Sequence, residues 1–132
     1  MVIDTSAIVA ILLGEPETPA LVRAIAEDPK RLMAVFNVLE SAVVIEARKG
    51  PAGVRELDLL LHEASVEQVS MDRDQVALAR EAYRRFGKGR HPARLNLGDC
   101  CAYALAARSG EPLLFKGADF AQTDIKTVPL KL

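Results

Sequence analysis

The chain contains no tryptophan and only two cysteines, Cys100 and Cys101, which are adjacent. Adjacent cysteines have neither metal-ligand spacing nor the pattern of a secreted disulfide framework. No apolar run approaches the roughly 18 residues that would suggest a membrane span. Met1 leads straight into Val2-Ile3-Asp4, with no charged leader or cleavage site. These absences argue against membrane insertion and secretion, and the expectation is a cytoplasmic protein. Charge of one sign is not in excess either: the net charge is -1 and the isoelectric point about 6.1. A globally basic protein that coats nucleic acid is thereby excluded, whereas a local basic patch is not. There is no internal repeat and no low-complexity tract. What remains is 132 residues, half of them hydrophobic. That fits one globular domain, large enough to bury roughly 65–70% of its unfolded surface without a disulfide or structural metal.

Along the chain, apolar strands alternate with helical patterns. Met1 to Ile3 reads as a buried strand, and Thr5 or Ser6 as the cap of a helix from Ala7 to Leu13 that Gly14 ends. Glu15-Pro16 opens a second helix, which Asp28-Pro29 stops. Leu32 to Phe36 is a second strand. Asn37, with Glu40 three residues on, has the pattern of a capping box for a third helix. Gly50-Pro51 breaks that helix, and Val54, Leu57, Leu60 and Leu61 mark the next. Val66 to Ser70 is a third strand, followed by a helix from Arg73 to about Phe86 capped by Asp72. A loop rich in glycine and basic residues leads to a helix from about Gly98 to Ser109. Leu113 to Phe115 is a fourth strand, and Lys126 to Pro129 a fifth, at an edge because of Pro129. The pattern predicts an α/β domain: a central parallel sheet of four to five strands with helices on both faces.

Ligands of such sheets bind beyond the carboxyl ends of the strands, and four acidic residues fall at those places. Asp4 follows the first strand, Glu40 lies in the first turn after the second, Asp99 begins the helix after the basic loop, and Asp119 follows the fourth strand. Each has an ordinary structural reading as well: Asp4 as a helix cap, Glu40 as the close of a capping box, Asp99 as a helix-dipole acid, Asp119 as a turn residue. Their joint placement at one rim favours a site. Gathered carboxylates repel and raise one another's pKa, and a hard divalent cation such as Mg²⁺ or Mn²⁺ relieves that repulsion. Such an ion can activate water and stabilise charge on a phosphoryl group. Glu46, about 120° around the helix from Glu40, points elsewhere.

The segments Met1-Val2-Ile3-Asp4-Thr5-Ser6-Ala7, Leu39-Glu40-Ser41, Leu97-Gly98-Asp99-Cys100 and Leu114-Phe115-Lys116-Gly117-Ala118-Asp119-Phe120 together resemble VapC toxins of the PIN-domain family. Gln122-Thr123-Asp124-Ile125 is similar to their ending, so the resemblance extends from Met1 to about Pro129. It implies a PIN-like sheet with helices on both sides and an Mg²⁺- or Mn²⁺-dependent endoribonuclease, the toxic half of a toxin–antitoxin pair. It also implies a homodimer and a small VapB-like antitoxin as partner. Asp4, Glu40, Asp99 and Asp119 correspond to the family's acidic quartet, with Asp4 and Asp99 as direct metal ligands. Thr5 and Ser6 correspond to supporting hydroxyls, and Asp124 to a further acid whose role varies.

From Arg84 to Arg94 the chain carries five basic residues, one histidine and no acid. Because an acidic site repels RNA, Arg84, Arg85, Lys88, Arg90 and Arg94 are candidates to grip phosphates, against the alternative of a solvated loop. His91 is a weaker candidate general base, since a metal-bound water needs none. His62 reads as a surface or packing residue on its helix. Tyr83 and Phe86 read as core, with base stacking the alternative, and the cysteines read as packing residues without CxxC or a partner base. Ile8, Ile11, Leu12 and Val22 offer a face for a partner helix, though some must face the sheet. Competing activities are less well matched. A phosphatase or phosphotransferase would want a second Asp where Ser6 stands. A signalling receiver would want an acidic pair after the first strand and an acceptor Asp after the third. A catalytically inactive RNA- or protein-binding module of the same fold conflicts with an intact quartet.

Overall fold

The computed structural model describes residues 1–131. The first strand, β1 (Val2–Ile3), is wholly buried and passes through Asp4 into α1 (Thr5–Leu12). Helix α2 (Thr18–Glu27) begins three residues later than Glu15-Pro16 suggests, with Pro19 in its first turn. Strand β2 (Leu32–Ala34) runs without a loop into α3 (Val35–Glu63). At Gly50 the backbone takes φ 68° and ψ -164°, a conformation open only to glycine, so α3 is two helices joined at a sharp kink before Pro51. The chain continues through β3 (Glu67–Val69), α4 (Arg73–Phe86), α5 (Leu97–Ser109), β4 (Leu113–Leu114) and a 3-10 turn (Phe120–Gln122).

The four strands form one parallel sheet in the order β3-β2-β1-β4, with Val2 opposite both Leu32 and Leu113. The expected fifth strand is reduced to a single parallel bridge, Thr127 to Leu113, closed by bonds from Leu113 N–H to Lys126 O and from Val128 N–H to Leu113 O. Alternation along the strands separates two apolar layers. Val2, Leu32 and Leu113 pack with Ala82, Phe86 and Leu105 of α4 and α5. Ile3, Met33 and Leu114 pack on the other face with Ile8, Leu21 and Leu57 of α1, α2 and α3. A one-residue slip of β1, β2 or β4 would exchange these layers, and burying each Leu or Ile is worth roughly 1.5–3 kcal/mol. Register is therefore held by burial on both faces. Helix α5 is buried almost all round from Gly98 to Ala106, although Leu97 at its start stands exposed.

Three local expectations are corrected. Asp4 itself caps α1, accepting from the Ser6 N–H, so neither Thr5 nor Ser6 does. Asn37 is not a cap: α3 starts at Val35 because β2 leads directly into it, and the Asn37 side chain turns inward. Capping boxes form instead at Asp72–Gln75 and Asn96–Asp99. Of the face proposed for a partner helix, Ile8 belongs to the core, Ile11 and Leu12 are half-buried, and Val22 is exposed.

Candidate active site

Parallel pairing brings the ends of β1, β2 and β4 to one rim, and the acidic residues are attached there. Asp4 sits at the junction of β1 and α1. Its N–H donates to Leu114 O at the end of β4, and its Oδ2 accepts from Ser6 N–H at 3.0 Å. Ser6 Oγ in turn accepts from Lys116 N–H at 2.9 Å, tying the start of α1 to the loop that carries Asp119. From α3, Glu40 meets α1 through the Thr5 hydroxyl, which donates to Glu40 Oε1 at 2.6 Å. Asp99 lies half-buried in the first turn of α5, and its Oδ2 accepts from Asn96 N–H at 3.0 Å. Asp119 stands exposed ahead of the 3-10 turn, with no capping bond.

The environment resists ionisation of Asp4 and Asp99. Burial pushes Asp4, 3% exposed, from 3.8 up to about 7, against the lowering effect of the Ser6 bonds and with the help of the Asp99 and Glu40 charges. Burial also raises Asp99 to about 6; the Asn96 amide opposes the rise, and Asp119 and Glu40 add to it. All four carboxylates are thus within electrostatic reach of one another through Asp99 and Asp4.

Asp4, Glu40 and Asp99 share a further feature. Each has one oxygen held by a protein donor, and its second oxygen has no hydrogen bond among the described residues. Hard anionic oxygens with a free lone-pair face suit Mg²⁺ or Mn²⁺ rather than a thiophilic metal. Among the described residues, no three acidic, histidine or cysteine side chains converge tightly enough to form a ready ligand cage. The donor chemistry of these carboxylates fits a divalent ion.

The basic segment divides into two roles. Arg84, Lys88 and Arg90, joined by Arg80, line a groove of about 890 Å³ between α4, α5 and the start of α3. Its floor is apolar, with Met71, Val76 and Cys100, and it reaches Asn96 and Leu97 beside Asp99. Tyr83, expected in the core, lines this groove at 42% exposure, with the Arg90 guanidinium 5.6 Å from its ring, whereas Phe86 is buried as expected. Arg85 instead pairs with Asp124 at 3.0 Å, and Asp124 also accepts from Tyr103 OH. That tie holds Asp124 below its ordinary pKa, chiefly through the Tyr103 hydroxyl, and anchors the last loop to α4 and α5. Arg94 is exposed in a left-handed conformation, φ 55°. His91 is engaged within its own loop: Nδ1 accepts from Ala93 N–H, and the ring packs edge-on against Phe86. Burial raises the cysteine thiols to about 12 for Cys100 and about 11 for Cys101, which suits packing and not nucleophilic chemistry.

Sequence reasoning missed Asn37, Gly98 and Arg80. The spacing of Arg80 and Arg84, one turn apart on α4, was a visible signal. The tie from Asn37 to Gly98 and the contact of Gly98 with Glu40 had none, because the partners lie on different helices.

A family model described as the PIN domain matches residues 1–126. A ribonuclease VapC of Mycolicibacterium smegmatis is 59% identical over 128 residues, covering 97% of this chain and 99% of that one. Among solved structures, VapC20 of Mycobacterium tuberculosis, described as a sarcin–ricin loop cleaving toxin, superposes with a TM-score of 0.78 at 17% identity, covering 96% of this chain and 97% of that one. A toxin–antitoxin complex from Klebsiella pneumoniae gives a TM-score of 0.73 at 15% identity, covering 99% and 98%.

Proposed function

The chain belongs to the PIN-domain family, and from that premise we propose that it is a metal-dependent endoribonuclease, the toxin of a toxin–antitoxin pair. The single observation that carries the chemistry is the coupled carboxylate group at the strand ends, with burial raising Asp4 to about 7 and Asp99 to about 6. Asp4 and Asp99 are the residues that would hold Mg²⁺ or Mn²⁺, with Glu40 and Asp119 completing the negative shell. When bound, the ion supplies Lewis-acid stabilisation of the phosphoryl group and lowers the pKa of water. Thr5 directs its hydroxyl proton to Glu40 and so orients that carboxylate. Ser6 holds Asp4 on one side and the Asp119 loop on the other. Arg84, Lys88 and Arg90 line the adjoining groove and offset the repulsion between RNA and the acidic rim.

The VapC name of the close relative supports a VapB-like antitoxin as partner. An arginine from that antitoxin would pair with the carboxylates in bidentate fashion and compete with the metal. Val22, with Ile11 and Leu12, offers the apolar face for its helix. A homodimer has a separate face available: Val35, Leu39 and Val43 stand exposed one turn apart on α3, and Val76 and Leu97 lie exposed on α4 and α5. Among the described residues no helix is long and apolar enough to cross a membrane, and the toxin acts on RNA in the cytoplasm. The test is cleavage of an RNA pool. The wild type cuts with Mg²⁺ or Mn²⁺ and not with EDTA, while Asp99→Asn loses at least about 100-fold and stays folded, as expected for a lost metal ligand. Cleavage by Asp99→Asn at the wild-type rate would show that the site is misassigned.

A further inference from the structure

Glu40 reaches the rim on a long, flexible side chain, and its carboxylate needs to be held. Thr5 supplies one contact, the 2.6 Å bond to Oε1. Thr5 Oγ1 is itself held by Asn37, whose Nδ2 donates to it at 3.1 Å. The same Nδ2 donates to Gly98 O at 3.1 Å, across 61 positions of sequence. Gly98 O can only accept, so the Asn37 amide must present its nitrogen here. Its oxygen, Oδ1, is left buried without a partner. One fully buried amide therefore ties the first turn of α1 to that of α5, with Glu40 lying between them.

The decisive contact is with Gly98 itself. A Cβ on this residue would lie 2.6 Å from Glu40 Cδ and closer still to both carboxylate oxygens. The Glu40 carboxylate thus rests against the bare Cα of Gly98, in space that any other residue would fill. Gly98 has ordinary helical geometry and is not among the positive-φ glycines. Glycine is not needed here for backbone freedom, and alanine is the better helix former by roughly 1 kcal/mol per residue in helix interiors.

We infer that Gly98 is a positioning residue for the acidic site, present because the Glu40 carboxylate occupies the place of its side chain. This rests on the nuclease reading above and names a new part of that site. The conflict created by a methyl group is with the far end of a flexible side chain, so Glu40 swings aside while the fold survives.

The test is a cycle of four proteins: wild type, Gly98→Ala, Glu40→Ala and the double variant. Three measurements are made on each: thermal unfolding, Mn²⁺ binding by calorimetry in the absence of RNA, and the kinetics of RNA cleavage. Gly98→Ala is expected to melt at or above the wild-type temperature, to bind Mn²⁺ several-fold more weakly, and to lose about 10-fold or more in kcat with little change in KM. In the Glu40→Ala background the Gly98 substitution is expected to add nothing further. Wild-type kcat and Mn²⁺ affinity in a folded Gly98→Ala protein would overturn the inference, as would a further loss from Gly98→Ala when Glu40 is already absent. If Gly98→Ala unfolds the chain, recovery of folding in the double variant supports the seat, and failure to recover refutes it. A wild type that cleaves RNA beside an unaltered Gly98→Ala sinks this inference alone. A wild type that binds Mn²⁺ but cuts no RNA sinks the nuclease reading and leaves the binding cycle to decide the seat. A wild type that neither binds Mn²⁺ nor cuts sinks both.

Discussion

Replacing Asp4 with asparagine should stabilise the metal-free protein even as it destroys the metal site. Asp4 is 3% exposed, and its pKa rises from 3.8 to about 7, first through burial and then through the Asp99 and Glu40 charges. Because the folded-state pKa lies above the unfolded value, the folded state binds this proton more tightly. Asp4 is then least harmful below about pH 4, costs progressively more as pH rises from about 4 to 7, and reaches a constant penalty above that. A shift of about 3 units at 1.36 kcal/mol each sets an upper bound of ~4 kcal/mol. Asparagine keeps an oxygen for the Ser6 N–H, so the helix cap survives, but its own buried amide must also be desolvated. A gain of about 2 kcal/mol at pH 8 is the expected remainder, equal to roughly 6–10 °C in Tm for a domain of this size. The assay is calorimetric unfolding of wild type and Asp4→Asn in EDTA, at pH 5 and pH 8. The gap between them should widen toward pH 8, and excess Mn²⁺ should close or reverse it by stabilising the wild type alone. Equal melting temperatures in EDTA at pH 8, or a gap that does not change with pH, would refute the reasoning.

Neutralising Arg84, Lys88 and Arg90 together should weaken RNA binding and flatten its log–log salt dependence by about 2, at roughly 0.7 per lost phosphate contact, measured by fluorescence titration across salt concentrations. Arg85→Ala should change that slope little and should instead loosen the loop around Asp124, visible as faster amide exchange near Asp124 and Ile125, because Arg85 is engaged there. Leu39→Glu with Val43→Glu, at positions 61% and 60% exposed, should leave the melting temperature nearly unchanged and convert a dimer to a monomer in sedimentation. A variant that remains dimeric would place the interface elsewhere. Co-expression with the product of a neighbouring small gene should yield a complex with suppressed nuclease activity, restored when the partner is removed; a chain that is harmless alone and binds no such product would end the toxin–antitoxin reading.

Much of the site was legible because its acids sit beside local signals. Asp4 follows an apolar strand, Glu40 lies early in the helix after the second strand, in its second turn because α3 already starts at Val35, Asp99 falls in the first turn of α5, and Asp119 follows another strand, so a reader of strand ends reaches all four. The cap of α4 at Asp72 was legible for the same reason: its partner Gln75 is three residues away. The errors lie where local signals compete. Asn37 and Glu40 have the spacing of a capping box, yet burial of β2 and its direct passage into α3 make Asn37 the third residue of the helix, with its side chain on Thr5 and Gly98. Thr5, Ser6 and Asp4 all compete in sequence for the cap of α1; the helix begins one residue after Asp4, whose carboxylate both caps α1 and feels the charges of Asp99 and Glu40. The basic run looked uniform in sequence, but Arg85 pairs with Asp124, 39 residues away, and is not among the residues that line the groove.

By itself the sequence determined the order of strands and helices, the two-layered burial of a parallel sheet and the placement of four acids near the strand ends. Each of these depends on periodicity and on groups a few residues apart, which the local chain geometry makes neighbours. Tertiary structure alone decided which carboxylate oxygens are held and which are free, how far burial raises Asp4 and Asp99, which arginines line the groove, and why residue 98 carries no side chain. Those outcomes depend on distances and solvent exclusion between segments up to 110 positions apart, as in the bond from Lys116 to Ser6, and such contacts exist only once the sheet has brought its strand ends to one rim.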